Sequence, residues 1–197
     1  MIDYINGEIT ELTPANVVVE NNGIGYFVNI PLTVYTALSG AKTVKIFVHE
    51  AIREDAHLLF GFLSKEERQL FLLLISVSGI GANTARVIMS SYTAKEIQDM
   101  IATGNVAALN AIKGIGAKTA QRIIIDLKDK ILKIDGVSAD ASSNVLFGVN
   151  PVREETLAAL VMLGYSQVAS QKVVDKILKD EPSAAVEKVI KMALKML

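Results

Sequence analysis

The sequence predicts an α+β multidomain protein: a small β-barrel, then an all-helical domain, then a bundle of three helices. Three observations carry this. Residues 1–63 are short runs of β-branched and aromatic residues separated by turn signals. Residues 64–133 are apolar helical segments joined by two copies of one glycine turn. Residues 152–197 hold three amphipathic helical patterns and follow a flexible linker, 134–151, in which Ser138 to Asn144 has little to bury and is expected to be mobile.

The barrel strands come first. Ile2 to Ile9 alternates, and Asn16 to Glu20, Gly25 to Ile30, Thr43 to Val48 and His57 to Phe62 are four further runs. Asn21-Asn22-Gly23 marks a turn between the second and third, so Gly23-Ile24-Gly25 belongs to a hairpin. Pro31 ends the third run, and Leu32 to Leu38 fits a short helix. Five short strands with a helix after the third are the layout of an OB-like barrel. The last two strands flank a charged turn, Ala51-Ile52-Arg53-Glu54-Asp55-Ala56. The histidines, His49 and His57, lie near acidic residues, but with no cysteine and no HExxH helix they are read as strand-surface residues, with no metal.

The helical domain opens at Ser64, an N-cap with Glu67 three residues on. Thr93-Ala94-Lys95-Glu96 repeats that signal, its helix stops near Gly104, and Asn105 caps the next. Within this domain Ser78-Gly79-Ile80-Gly81-Ala82-Asn83-Thr84-Ala85 returns, 35 positions later, as Lys113-Gly114-Ile115-Gly116-Ala117-Lys118-Thr119-Ala120. Each copy sits between apolar helical patterns. Glycine supplies the backbone freedom a tight interhelical turn needs. The helix that follows begins with unsatisfied N–H groups, which carry partial positive charge and bind phosphate. Nothing in the motif reaches a base edge, so the binding it supports ignores sequence. A P-loop is excluded. Lys118 follows Ala117, Ala111 stands where the first glycine would be, and the preceding segment is helical.

Charge follows the same division. Residues 1–63 hold 3 basic and 7 acidic side chains, residues 64–133 hold 10 and 6, and residues 134–197 hold 7 and 8. The net charge of −1 therefore hides a basic central module between neutral or acidic ones, the distribution of a phosphate-binding domain. The barrel is acidic and offers few candidates for the basic and aromatic face with which such barrels hold single strands. It reads as an assembly platform. Cysteine is absent, which excludes disulfides and thiolate metal sites. Phe71 to Val77 is too short to span a membrane, and Met1-Ile2-Asp3-Tyr4 has no secretory pattern, so a cytoplasmic location is expected.

The paired glycine turns resemble tandem helix-hairpin-helix motifs. With the flanking segments the chain resembles the RuvA family, from Met1 to Leu197. That resemblance implies sequence-independent binding of four-way (Holliday) DNA junctions, held open and flat by a homotetramer or by two stacked tetramers. It implies DNA contacts at Ser78, Gly79, Ile80, Gly81, Asn83 and Thr84 in the first hairpin. In the second they are Lys113, Gly114, Gly116, Lys118, Thr119 and Arg122. Glu54 and Asp55 match an acidic pin aimed at the junction centre. The terminal module resembles a ubiquitin-associated-type (UBA-like) bundle; Glu154 to Leu163 places Leu157, Leu160 and Val161 on one side, and with Tyr165 these would contact the RuvB AAA+ motor. The RuvC resolvase is implied in the same complex, with no cofactor and no catalysis in this chain. Asn83 departs from the family, which more often has a basic residue there. The competing reading is a DNA repair glycosylase or nuclease anchored by the hairpins, with Asp126 as its best catalytic candidate.

Overall fold

The computed structural model describes residues 1–139 and 150–197. They divide into two compact units, the first ending at Ala139 and the second running from Asp140 to Leu197.

The first unit begins with five strands: β1 (Tyr4–Leu12), β2 (Asn16–Asn21), β3 (Ile24–Asn29), β4 (Thr43–Ile52) and β5 (His57–Phe62), with helix α1 (Leu32–Leu38) after the third. They close in the order β1-β2-β3-β5-β4, antiparallel except for the short parallel β3–β5 pair. Asn22 and Gly23, at φ 48° and 80°, form the tight β2–β3 turn, where positive φ at both central residues suits the twist of a hairpin. Val17, Val19, Val28 and Ile46 fill the barrel and are fully buried. Gly61 is small because a Cβ there would lie 2.5 Å from side-chain carbons of Ile46 and Val28. β4 runs on to Ile52, which pairs with His57, so the expected six-residue charged turn shortens to residues 53–56.

Five helices complete this unit: α2 (Lys65–Ser76), α3 (Ala82–Ser91), α4 (Ala94–Ala102), α5 (Val106–Asn110) and α6 (Ala117–Ala139). The cap signals read from sequence are in place. Ser64 Oγ accepts from the Glu67 N–H, and Asn105 accepts from the Ala108 N–H. Thr93 and Glu96 form a reciprocal capping box, and the N–H and hydroxyl of Thr93 hold the Glu96 carboxyl below the usual carboxylate range. At the other end of α4, Gly104 has φ 71° and the Asn105 N–H bonds back to Met100 O, a Schellman stop.

The barrel interior is one core and the helices form a second, which the end of β5 joins. Phe60 and Phe62 of β5 pack on Phe71 of α2, at ring-centroid distances of 5.4 and 4.9 Å. His49 rests on the same ring, and burial and the nearby Arg68 lower its pKa. Arg68 ties α2 to the barrel through Asp3 Oδ1 (2.7 Å), Asp3 O and Val48 O. Helix α6 runs past residue 133. α6 continues through Gly136 to Ala139, because one glycine costs a helix about 1 kcal/mol and no proline interrupts it. The expected mobility of residues 138–144 falls, from Asp140 onward, outside the described residues.

The second unit holds α7 (Pro151–Met162), α8 (Gln167–Asp180) and α9 (Val186–Ala193). Asn150 caps α7, with Pro151 in its first turn, and Ser166 caps α8. The sequence predicts a last helix from Ser183 to Met196 with Ser183 as its cap, but Ser183 does not cap α9. It lies in the preceding turn, and the helix starts after Ala185, where the core residues Val189 and Ala193 come into register. Arg153 grips Asp175 with two hydrogen bonds, joining α7 to α8. No described helix is long and apolar enough to cross a membrane.

Candidate nucleic-acid interface

The two glycine motifs fold alike. After α2, Val77 O accepts from Ile80 N–H at 3.0 Å, and after α5, Ile112 O accepts from Ile115 N–H at 3.0 Å. Both are turns with glycine at the third position, Gly79 at φ 93° and Gly114 at φ 91°, the type II pattern that requires φ > 0 there. Val77, Ile80, Ala85 and Ile88 are buried in the first copy, and Ile112, Ile115, Ala120 and Ile123 in the second. Ile80 holds the first turn from within. At 5 % exposure its side chain anchors the turn in the core and is not presented to a ligand.

The second glycine of each motif has a different cause. Gly81 is in extended backbone, φ −88° and ψ 170°, which any residue adopts. A Cβ at Gly81 or Gly116 would meet nothing within 4 Å. The fold itself does not require glycine at Gly81, so a close approach from outside explains it better. Gly81 also lacks a capping side chain of the kind that opens α2, α4 and α5, and the N–H groups opening α3 have no side-chain acceptor. In both copies the first helical N–H bond is made four residues later, from Ala85 to Gly81 O and from Ala120 to Gly116 O. Each motif thus opens a helix at the positive end of its dipole with a bare Cα beside it, and at α3 the first N–H groups meet no side-chain cap.

The hairpins meet each other. Ser78 of the first lines an open cleft with Lys118, Thr119 and Arg122 of the second, and Arg122 Nη1 lies 3.5 Å from Ser78 O. Lys113, Lys118, Arg122 and Asn83 are exposed, and Thr84 and Thr119 are half-buried at the helix starts. Arg86 is the first hairpin's own cation, but it turns to the barrel and donates to Ala15 O and Asn29 Oδ1, both at 3.2 Å. The first hairpin therefore faces solvent with Ser78 and Asn83, and the second with three cations. Asp126 lies exposed on α6.

Glu54 and Asp55 occupy the exposed tip of the β4–β5 turn, which Arg53 N–H closes onto Ala56 O at 2.8 Å. In the second unit the predicted contact residues separate. Leu157 and Leu160 belong to the bundle core, 8 % and 0 % exposed, while Val161 and Tyr165 are exposed at 45 % and 37 %. Thr156, Leu157 and Leu160 set the core face of α7, and Val161, about 100° further round the helix from Leu160, leaves it. Gly164, at φ 96°, stops α7, and the Tyr165 N–H bonds to Leu160 O. Met162, Leu163 and Val168 are also exposed and widen this apolar edge. Sequence reasoning missed them, although their place off the core periodicity was the available signal.

Three family models match the chain in order: the RuvA N terminal domain over residues 1–61, a SAM-like helix-hairpin-helix tandem over 71–129, and the RuvA C-terminal domain over 151–197. Among curated relatives, a protein of Bacteroides thetaiotaomicron is 53% identical, one of Parabacteroides distasonis 54% and one of Christiangramia forsetii 47%. Each alignment covers 100% of both chains, and each relative is named Holliday junction branch migration complex subunit RuvA. The barrel, the paired hairpins and the terminal bundle are thus each matched in place, and the chain belongs to the RuvA family.

Proposed function

We propose that this chain is a non-catalytic subunit that binds four-way DNA junctions through the phosphate backbone and serves a branch-migration motor. The observation that carries the reading is the pair of matched glycine turns, each opening a helix beside a glycine at which a Cβ would meet nothing within 4 Å. Ser78, Gly79, Gly81, Asn83 and Thr84 form one backbone-binding edge. Lys113, Gly114, Gly116, Lys118, Thr119 and Arg122 form the other. The relatives' printed names supply the junction as the substrate and the branch-migration complex as the setting.

The finer assignments belong to the same proposal. Four copies match four arms and hold the junction open and flat, alone or as two stacked tetramers. The barrel serves as the platform that carries the pin. Glu54 and Asp55 repel phosphates that come within about 8 Å at physiological salt, so a continuous duplex is disfavoured more than splayed arms. The terminal unit contacts the RuvB AAA+ ATPase through the exposed edge of Val161 and Tyr165, while Leu157 and Leu160 support it from the core. RuvC resolvase joins the same assembly, in the cytoplasm.

A mobility-shift comparison of a four-way junction with a linear duplex of equal mass, without any partner, tests the reading. Tighter junction binding with intact DNA is expected. Base release or nicking by the pure protein would instead support a repair enzyme.

A further inference from the structure

The sequence of the acidic barrel offers few candidates for a basic and aromatic face; the fold assembles one from residues far apart in the chain. Tyr4 of β1 pairs with Phe47 of β4, and their rings meet edge to face at 6.3 Å. Lys45 Nζ lies 4.1 Å from the Tyr4 ring centroid and 5.5 Å from that of Phe47. Lys65 Nζ, from the first turn of α2, lies 5.9 Å from the Phe47 ring, and the Arg68 guanidinium 5.7 Å from it. Arg68 is committed to Asp3 and Val48. Among the described residues neither Lys45 nor Lys65 forms a salt bridge, although the barrel carries 7 carboxylates. Tyr4 is 49 % exposed.

We infer that this outer face of β1 and β4, with Tyr4, Phe47, Lys45 and Lys65, is a second nucleic-acid contact of this chain, for an unpaired strand. A flat ring beside two unpaired cations fits a base and its flanking phosphates; duplex DNA hides its base faces and would use only the lysines. Stacking a base on an aromatic side chain is worth about 5- to 100-fold in affinity. The exposed cation–ring contact that a base would displace is worth about 2- to 5-fold. The exchange therefore favours the base, and the flexible Lys45 stem lets its ammonium move to a phosphate. The inference does not depend on the hairpins or on the pin.

The test is fluorescence anisotropy with a labelled oligothymidylate of about 4–16 nucleotides, the span of one such barrel, and with an abasic strand of equal length. The full chain is compared with Tyr4→Leu and with Lys45→Gln/Lys65→Gln. The native chain is expected to prefer the strand with bases, Tyr4→Leu to lose that preference with a 5- to 100-fold weaker affinity, and the lysine pair to lower the salt slope by about 0.7 per residue. Four-way junction binding and sedimentation should be unchanged in both variants. Equal binding of both strands, or an unaltered Tyr4→Leu, overturns the inference. A smaller sedimenting species overturns it in favour of a contact between copies of this chain. Parallel loss of junction binding overturns it in favour of a duplex contact.

Discussion

The two hairpins have one backbone and two surfaces. Their buried positions coincide, their turn glycines sit at φ 93° and 91°, and their closing hydrogen bonds are both 3.0 Å. Their solvent faces differ: Ser78 and Asn83 on one, Lys113, Lys118 and Arg122 on the other. The difference separates the two ways a helix start holds phosphate. In the proposed reading the first copy offers N–H donors alone, and the second adds cations to the same donors. We therefore expect the first hairpin to give register with little salt dependence, and the second to give most of the electrostatic attraction.

The shared backbone is the easier half to break. Ile80→Ala and Ile115→Ala remove equivalent buried anchors, 5 % and 4 % exposed, and each should cost about 2–5 kcal/mol in denaturant unfolding. Losses that differ by more than about half would show that the two cores are not equivalent. Replacing Lys113, Lys118 and Arg122 together by Gln should lower the salt slope of junction binding by close to three and weaken binding to all DNA sequences alike. An unchanged slope would remove the electrostatic role of the second hairpin. The converse, Asn83→Lys, should raise the slope by about one and tighten binding, making the copies alike. The smallest effect is expected at the tip of the barrel. Glu54→Gln with Asp55→Asn should strengthen duplex binding a few-fold at low salt and narrow the junction preference. Unchanged duplex affinity would return this turn to an ordinary solvated loop.

Much of this comparison was legible in the sequence because the signals are local. A repeated Gly-Ile-Gly, an Asn-Gly pair and three side-chain caps each act within four residues, and each appears where it was read. What was not legible depends on residues brought together by folding. The partners of Arg86, Ala15 O and Asn29 Oδ1, lie 71 and 57 residues away in the chain. The side chain of Ile80, in the middle of the glycine motif, turns into a core that the local motif does not reveal. Lys45 and Tyr4 are 41 residues apart in sequence and meet only through the β1–β4 register. Ser183 satisfied a local rule, but the packing of Val189 and Ala193 moved the helix start past it. Leu157 and Leu160 carried the strongest apolar signal of α7, and the bundle core took them.

Gly81→Asp tests the central claim most directly. The backbone at this position, φ −88° and ψ 170°, accepts any residue, and the added Cβ meets nothing within 4 Å. An aspartate there can cap α3, so the protein should become more stable by a few tenths of a kcal/mol. The same carboxylate occupies the donors that phosphate needs and repels it, so junction affinity should fall about 10- to 100-fold. Unfolding and junction titration measured on one preparation separate the two effects. Greater or equal stability with weaker binding is the predicted result. Unaltered junction affinity in a folded Gly81→Asp protein would contradict phosphate binding at the first hairpin.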